Sequence, residues 1–297
     1  MTRSKSEGGE PVKPLRESTV AIVGLGLMGG SLAGALRQQC RSVVGVARRR
    51  ETVDLALERG LIDRGTVDLQ EGLSEANIVV LATPVRVILR QLEEIASILA
   101  PGSLLMDLGS TKSDIVSAMA GLPEHIQPLG GHPMCGKETS GIEAADPEIY
   151  RGATFILTPL PRTSLGALDL GRDLARAAGS HALALSAERQ DFLVGTVSHL
   201  PYLMACALVS TADTLTSPDP AAWKIVAGGY RDTTRIAGSD VSMMTDILLT
   251  NREAVLEAVE TFQQEIGRLA ALLEGAREAE LRAALQAVRQ ERLRMYP

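Results

Sequence analysis

Aromatic side chains are scarce in this chain: they make up 3% of 297 residues, with a single tryptophan. That leaves little for stacking on nucleic-acid bases. A formal net charge of −6 argues against sequence-independent nucleic-acid binding, which runs on an excess of lysine and arginine. The three cysteines, Cys40, Cys135 and Cys206, are odd in number and far apart, with no C-x-x-C pair. They fit a reducing cytosol and neither a disulfide frame nor a structural zinc. The four histidines show no H-x-x-x-H spacing and the carboxylates do not cluster, so no metal is expected. No uninterrupted apolar run approaches the roughly 18 residues of a membrane span; residues 78–89 are broken by Arg86 and residues 200–209 are short. Residues 1–17 are polar, contain Gly8-Gly9, lack the apolar segment of a signal peptide and read as a loose tail. A cytoplasmic protein without membrane or nucleic-acid partners is expected.

What is present is a globular composition, 45% hydrophobic, on a chain long enough for two domains. Its organising stretch is residues 20–34. Val20 to Val23 read as a buried parallel strand, Gly24, Gly26 and Gly29 form G-x-G-x-x-G, and a helix-like pattern runs from Ser31 to Gln38. A tight turn needs Gly24, a pyrophosphate lying on the backbone needs Gly26, and close strand–helix packing needs Gly29. The following helix offers free N–H groups and a positive dipole end to phosphates, so Gly24, Gly26, Leu27, Met28 and Gly29 are candidate dinucleotide contacts. The same glycines also fit a merely structural turn.

Further on, residues 42–47 read as a second strand. A dinucleotide with a free 2′-hydroxyl usually meets a carboxylate at that strand's end; here Arg48-Arg49-Arg50 stand instead. Guanidinium groups suit a 2′-phosphate, which points to NADP through Arg48 and Arg49, although the run also fits a solvated basic turn. Strands over 78–82, 103–107, 153–157 and 181–185 alternate with helices over 51–59, 85–99, 113–120 and 165–178. This calls for a doubly wound parallel sheet of Rossmann type, with ligands beyond the strand carboxyl ends. Thr83, Pro84 and Ser110 would face that crevice. Residues 129–136 read as a small-residue loop carrying His132. From about Ser186 helical periodicity takes over, giving a tail over 1–17, a dinucleotide-binding domain over 18–186 and an all-α domain over 187–297.

Within the helical part, Ser198-His199-Leu200-Pro201 opens or kinks a helix, and residues 228–235 form a glycine-rich polar connector. Arg231 and Arg235 lie four apart, so a helical turn would let them grip one carboxylate; either could instead pair with Asp232 or Asp240. Thr250-Asn-Arg-Glu253 is a capping-box pattern. Behind it Val255, Val259, Phe262, Ile266, Leu269 and Leu273 repeat at 4-3 spacing, as an internal core stripe or a subunit seam. Among the histidines, His132 stands at the ligand end of the sheet, where a dinucleotide oxidising a hydroxyl needs a base. Ser110 could orient its imidazole. A side chain of ordinary pKa, about 6.5, would lose turnover as pH drops through that value.

Taken together, residues 20–34, Asp107-Leu-Gly-Ser110-Thr-Lys112, Gly131-His132-Pro-Met, Ser198-His199-Leu-Pro201 and Gly229-Tyr-Arg-Asp-Thr-Thr-Arg235 resemble the signatures of prephenate/arogenate dehydrogenases. The resemblance covers nearly all of the chain after residue 18, with the motifs in the family's order. It implies oxidative decarboxylation of a cyclohexadienol in tyrosine biosynthesis: hydride leaves C4 for the nicotinamide, the C4 hydroxyl loses its proton and the ring carboxylate departs as carbon dioxide. By motif position it implies His132 as the catalytic histidine and Ser110 as the serine bonding around it. Arg235 would hold a substrate carboxylate, with His199 and Gly228 in the substrate pocket. The helical domain would form a homodimer, favouring the seam reading. The Gly-Val-Ala-Arg ending of the second strand looks most like the NADP-using, arogenate-preferring members of cyanobacteria and plants. Two positions depart from the pattern. Ala47 replaces a hydroxyl side chain before Arg48, and Lys137, near the side-chain end of the substrate, stands where some members carry threonine. Other readings are a β-hydroxyacid or imine dehydrogenase, which would place a catalytic lysine or aspartate in its first interdomain helix, and a non-catalytic NADP-sensing module, which would not need His132, Ser110 and Arg235 together.

Overall fold

The computed structural model describes residues 13–295 apart from 218 and 220. One eight-stranded sheet organises the first part of the chain. Its strands are β1 (Thr19–Val23), β2 (Ser42–Val46), β3 (Arg64–Thr66), β4 (Ile78–Leu81), β5 (Leu104–Asp107), β6 (Gln127–Pro133), β7 (Thr154–Pro159) and β8 (His181–Ala184), in the order β3-β2-β1-β4-β5-β6-β7-β8. All neighbours are parallel except β6 and β7. The order reverses between β1 and β4, which opens a crevice beyond their carboxyl ends.

From Val20 onward β1, and the whole of β4, are hydrophobic and buried on both sides of the sheet. Val20, Ile22, Ile78 and Val80 join one apolar layer, and Ala21, Val23, Val79 and Leu81 the other. Period-two alternation under helices on both faces explains why these strands read as unbroken apolar runs. The first layer is covered by α1 (Leu27–Leu36) and α6 (Leu165–Ala177), the second by α4 (Val85–Ile98) and α5 (Ser113–Ala120); α2 (Arg50–Glu58) and α3 (Leu69–Leu73) flank β3.

Several expectations change at this level. The short elements β3 and α3 escaped the sequence pattern, being three and five residues long. Helix α1 starts at Leu27, directly from the turn, and not at Ser31. The glycines that blurred its pattern are packing contacts: a Cβ on Gly29 would lie 1.9 Å from the Gly24 carbonyl oxygen. His132 lies in β6 and not in a loop, opposite Ile156. Its glycine neighbours suggested a loop, yet a Cβ on Gly131 would meet the Asp107 carbonyl oxygen at 2.5 Å, so glycine there admits the neighbouring strand. Of the expected tail, Leu15–Glu17 forms a short 3-10 turn with Leu15 buried in the core; residues 1–12 lie outside the described residues.

After the sheet come α7 (Ala187–Val194), a π-helical segment (Gly195–His199), α8 (Leu200–Thr216), α9 (Gly228–Thr234) and α10 (Val241–Thr250). Pro201 stands in the first turn of α8, as expected of a proline near a helix start. The run 187–216 stays continuous, with the wide π turn placed just before the proline, which has no N–H to give. Because a helix tolerates scattered polar residues, this run also corrects the expectation about apolar length. Ala187–Thr216 is 30 residues long and, by length and composition only, apolar enough to match a membrane span. It carries Gln190, Asp191 and His199, all buried. The described residues form two compact units, one up to Asn251 and one from Arg252. This division falls later than the change of pattern at 186 because α7 and α10 bond to the sheet's ligand end. The second unit is a hairpin of α11 (Arg252–Glu274) and α12 (Glu278–Met295), on which Ile266, Leu273, Leu285, Val288 and Leu293 are exposed.

Candidate active site

The crevice at the strand-order reversal is a cleft of about 480 Å³. Its walls include Gly26, Leu27 and Met28 from the glycine turn, Arg48 after β2, Thr83 and Pro84 after β4, and Ser110 after β5. Lys137, Glu138, Asp240 and Met243 complete the rim. Most of the candidate dinucleotide residues are thus brought together. Gly24 (φ +102) and Gly29 shape the turn behind the wall, and Arg49 is the exposed N-cap of α2.

The turn suits a dinucleotide phosphate. Gly26 caps α1 with no side-chain hydrogen bond, and a Cβ built on it would meet nothing within 4 Å. The first N–H groups of the helix therefore face free space with the positive end of its dipole. Tyr150, fully buried, donates its hydroxyl to the Met28 carbonyl at 3.0 Å and so braces that first turn from behind.

Beside Ser110 lies a buried polar network. Asp107, at the end of β5, accepts N–H groups from Gly109 (2.7 Å) and Gly131 (3.1 Å) and forms an ion pair with Lys112. Both charged side chains are fully buried. Burial pushes the Asp107 carboxyl above its usual range and the Lys112 ammonium below its own, each partly offset by the other's charge. The pair ties the turn that carries Ser110 to the strand that carries His132.

His132 is buried, and its Nδ1 lies 3.3 Å from Gln190 Oε1. The partner of the imidazole is therefore Gln190, and Ser110 joins the network through its carbonyl, which accepts from Gln190 Nε2 at 3.3 Å. Asp191 accepts the backbone N–H groups of Lys112 (2.7 Å) and Ser113 (2.8 Å), capping α5. His199 Nδ1 lies 3.1 Å from Asn251 Nδ2. Burial, aided by the Lys112 charge, pushes His132 down to about 3, and burial alone pushes His199 down to about 4. An acid limb at 6.5 is thus not expected from this imidazole; it is a neutral acceptor throughout the physiological range.

The substrate-side candidates are placed differently. Arg235 follows α9 directly as the first residue of a 3-10 turn, and it pairs with Glu138 on the cleft rim instead of Asp232 or Asp240. Lys137 pairs with Asp146 at 2.9 Å, and Gly228 begins α9. The capping-box serine-type role expected of Thr250 is absent: its hydroxyl donates to Asp246 O and meets Thr111 Oγ1 at 2.8 Å. Sequence reasoning missed Gln190, Asp191, Asn251 and Glu138. Their types carried no spacing signal, although an acid ending the apolar strand at Asp107 and a Gln-Asp pair inside an apolar helix were visible cues.

The chain is similar to known proteins in both sequence and fold. A family model described as prephenate dehydrogenase, nucleotide-binding domain, matches residues 32–183, and one described as prephenate dehydrogenase, dimerization domain, matches residues 186–287. The prephenate dehydrogenase of Bacillus subtilis is 35% identical over 262 residues, 87% of this chain and 71% of that protein. Among solved structures, prephenate dehydrogenase from A. aeolicus in complex with hydroxyphenyl propionate and NAD+ is 34% identical at a TM-score of 0.88, covering 95% of this chain and all of that one. Synechocystis arogenate dehydrogenase is 30% identical at a TM-score of 0.81, covering 93% of this chain and 99% of that one. A likeness that runs through both the sheet and the helices, in sequence and in structure alike, makes this chain a member of the prephenate dehydrogenase family of oxidoreductases.

Proposed function

We propose that this protein is an NADP-dependent dehydrogenase that oxidatively decarboxylates arogenate, prephenate or both in tyrosine biosynthesis, with His132 as the proton acceptor. The observation that carries the reading is a buried, neutral histidine joined through Gln190 to the carbonyl of Ser110, a residue that lines the same cleft as the glycine turn and Arg48.

In this reading Gly26, Leu27 and Met28 hold the cofactor's phosphates, with Gly24 and Gly29 shaping the turn and Thr83 and Pro84 lining the far wall. Arg48, with Arg49 beside it, takes the 2′-phosphate, since no carboxylate ends β2 to bind a free hydroxyl. Bound there, the nicotinamide supplies the acceptor for hydride from substrate C4. His132 takes the proton from the C4 hydroxyl, and Ser110 bonds around the same oxygen. The ring carboxylate then leaves as carbon dioxide, and aromatisation makes the step strongly downhill. Arg235, released from Glu138, holds a substrate carboxylate as a planar fork; His199, Gly228 and Lys137 line the rest of the substrate pocket.

The two family models, ending at 183 and beginning at 186, support reading residues 18–186 as the dinucleotide-binding domain and 187–297 as the substrate and dimerisation domain. A homodimer through the helices would cover the exposed apolar residues of α11 and α12. The solved relative with hydroxyphenyl propionate and NAD+ supports a ring-bearing carboxylate as substrate and leaves the choice of nucleotide to this chain's own Arg48. The test is turnover of arogenate and prephenate with NADP and NAD in all four combinations. Reduction of NADP by either substrate, at higher kcat/KM than NAD, is expected. Absence of turnover with both substrates would remove the proposal, and equal use of the nucleotides would remove its cofactor part.

A further inference from the structure

Gln190 and Asp191 stand side by side inside the apolar helical run 187–216, both buried, and the orientation of two side-chain amides can be read from their neighbours. Gln190 Nε2 lies 3.3 Å from the Ser110 carbonyl oxygen and 2.8 Å from Asp191 Oδ1. Both are acceptors, and the Asp191 carboxylate already takes the N–H groups of Lys112 and Ser113. Rotating the amide would press its oxygen against two acceptors, so the NH₂ group occupies that side. Oε1 then faces His132 Nδ1 at 3.3 Å and can only accept. His132 therefore carries its proton on Nδ1 and leaves Nε2 bare. The opposite holds at His199. Asn251 Nδ2 lies 2.8 Å from the Asp191 carbonyl oxygen and 3.1 Å from His199 Nδ1. A carbonyl can only accept, so Nδ2 is the donor to both, His199 Nδ1 is the acceptor, and its proton sits on Nε2.

We propose that Gln190 and Asn251, braced on Asp191, are positioning residues that hold the two buried histidines in opposite tautomers, His132 with an Nε2 lone pair ready for a proton and His199 with an Nε2–H ready to donate. The consequence for catalysis rests on the reading of His132 as the proton acceptor; the tautomers themselves do not. When Nε2 takes the hydroxyl proton, the Nδ1–H bond to Gln190 persists, and the amide oxygen dipole supports the imidazolium. A Gln-Asp pair at the start of the helical run 187–216 thus carries the device that aims the base.

The full-length protein labelled with ¹⁵N-histidine gives the test by long-range ¹H–¹⁵N correlation at neutral pH. Signals are assigned by loss in His132→Asn and His199→Asn; the remaining two histidines, His125 and His181, are exposed. The expected spectrum shows His132 protonated at Nδ1 and His199 at Nε2. Gln190→Met, close in size without the acceptor, should release His132 toward the Nε2–H form and leave the His199 pattern intact. Its kcat should fall roughly tenfold or more, short of the 10²–10⁴-fold expected for loss of the base, with both KM values within about twofold. Asn251→Asp should move the His199 proton to Nδ1 without changing His132, and this variant carries the test should Gln190→Met fail to fold. A wild-type His132 protonated at Nε2, one shared tautomer for both histidines, or a Gln190→Met spectrum unchanged at His132 would overturn the proposal. If the tautomers are as assigned while His132→Asn turns over normally, the proton-acceptor reading falls and the tautomer assignment stands.

Discussion

Held near 3 and near 4 by burial, His132 and His199 enter the fold uncharged, whereas in the unfolded chain they titrate at about 6.5. A depressed folded pKa adds stability that is complete above the unfolded value and is lost as pH falls toward the folded one, because the unfolded state binds the extra proton. Each histidine should therefore cost about 1.4 kcal/mol per pH unit below 6.5. Urea melts between pH 7 and 4.5 should show a shallower loss in His132→Asn than in wild type, while turnover of that variant drops roughly 10²–10⁴-fold with nucleotide affinity preserved. Wild-type kcat/KM should show no acid limb at 6.5 from this residue. Arg48 tests the other end of the cleft. Losing one charge-assisted phosphate contact is worth roughly 1.5–3 kcal/mol, or about ten- to hundredfold, so Arg48→Ala should raise KM for NADP by that factor and leave KM for NAD nearly unchanged. The Asp107–Lys112 pair is the third case. Lys112→Met leaves a buried carboxylate unpaired and should cost about 3–5 kcal/mol in denaturant melts; Asp107→Asn added to it should recover much of the loss, since the remaining amide oxygen still accepts from Gly109 or Gly131.

At the scale of elements, the turn from β1 into α1 separates two uses of glycine that look alike in the motif. A Cβ on Gly29 runs into the Gly24 carbonyl oxygen at 1.9 Å, whereas one on Gly26, at φ −94, meets open space. Gly29→Ala should then destabilise the domain itself. Gly26→Ala should melt within about 0.5 kcal/mol of wild type, yet bind nucleotide at least tenfold more weakly, because the methyl group fills the room a phosphate needs. Isothermal titration and thermal melts on the two variants distinguish these outcomes; weak melting of Gly26→Ala would show that this glycine serves the fold. The run 187–216 makes a related point about helices. Its π turn sits where Pro201 withholds a hydrogen bond, and it delivers His199 to the same polar network as Gln190 and Asp191.

For the whole molecule, the prediction concerns association. Exposed apolar residues on α11 and α12, including Ile266 at 52% and Leu273 at 65% exposure, suit a helical seam between copies better than open solvent. The protein should sediment as a dimer, and Ile266→Lys with Leu273→Lys should shift it to monomer while leaving the circular dichroism of the sheet unchanged. A wild type that sediments as monomer at micromolar concentration would rule the seam out.

How much of this was legible in the residues follows from the range of the forces involved. The glycine turn, the apolar strands, their alternation with helices and the change of pattern at 186 are local, governed by backbone sterics and by periodicities of 2 and 3.6 residues. They were readable in order along the chain, as was the placing of Arg48 and Ser110 beside one crevice, which follows from parallel-sheet topology. Six of the eight strands, the position of the cleft and the family's motifs were thus legible in the residues alone; β3 and β6 were not. Packing between distant elements set the rest: His132 sits in a strand, burial and not its ordinary pKa sets its charge, and Gln190, 58 residues away, holds its ring. Desolvation and hydrogen bonds between distant elements depend on what packs around a group, and no spacing along a chain encodes that packing.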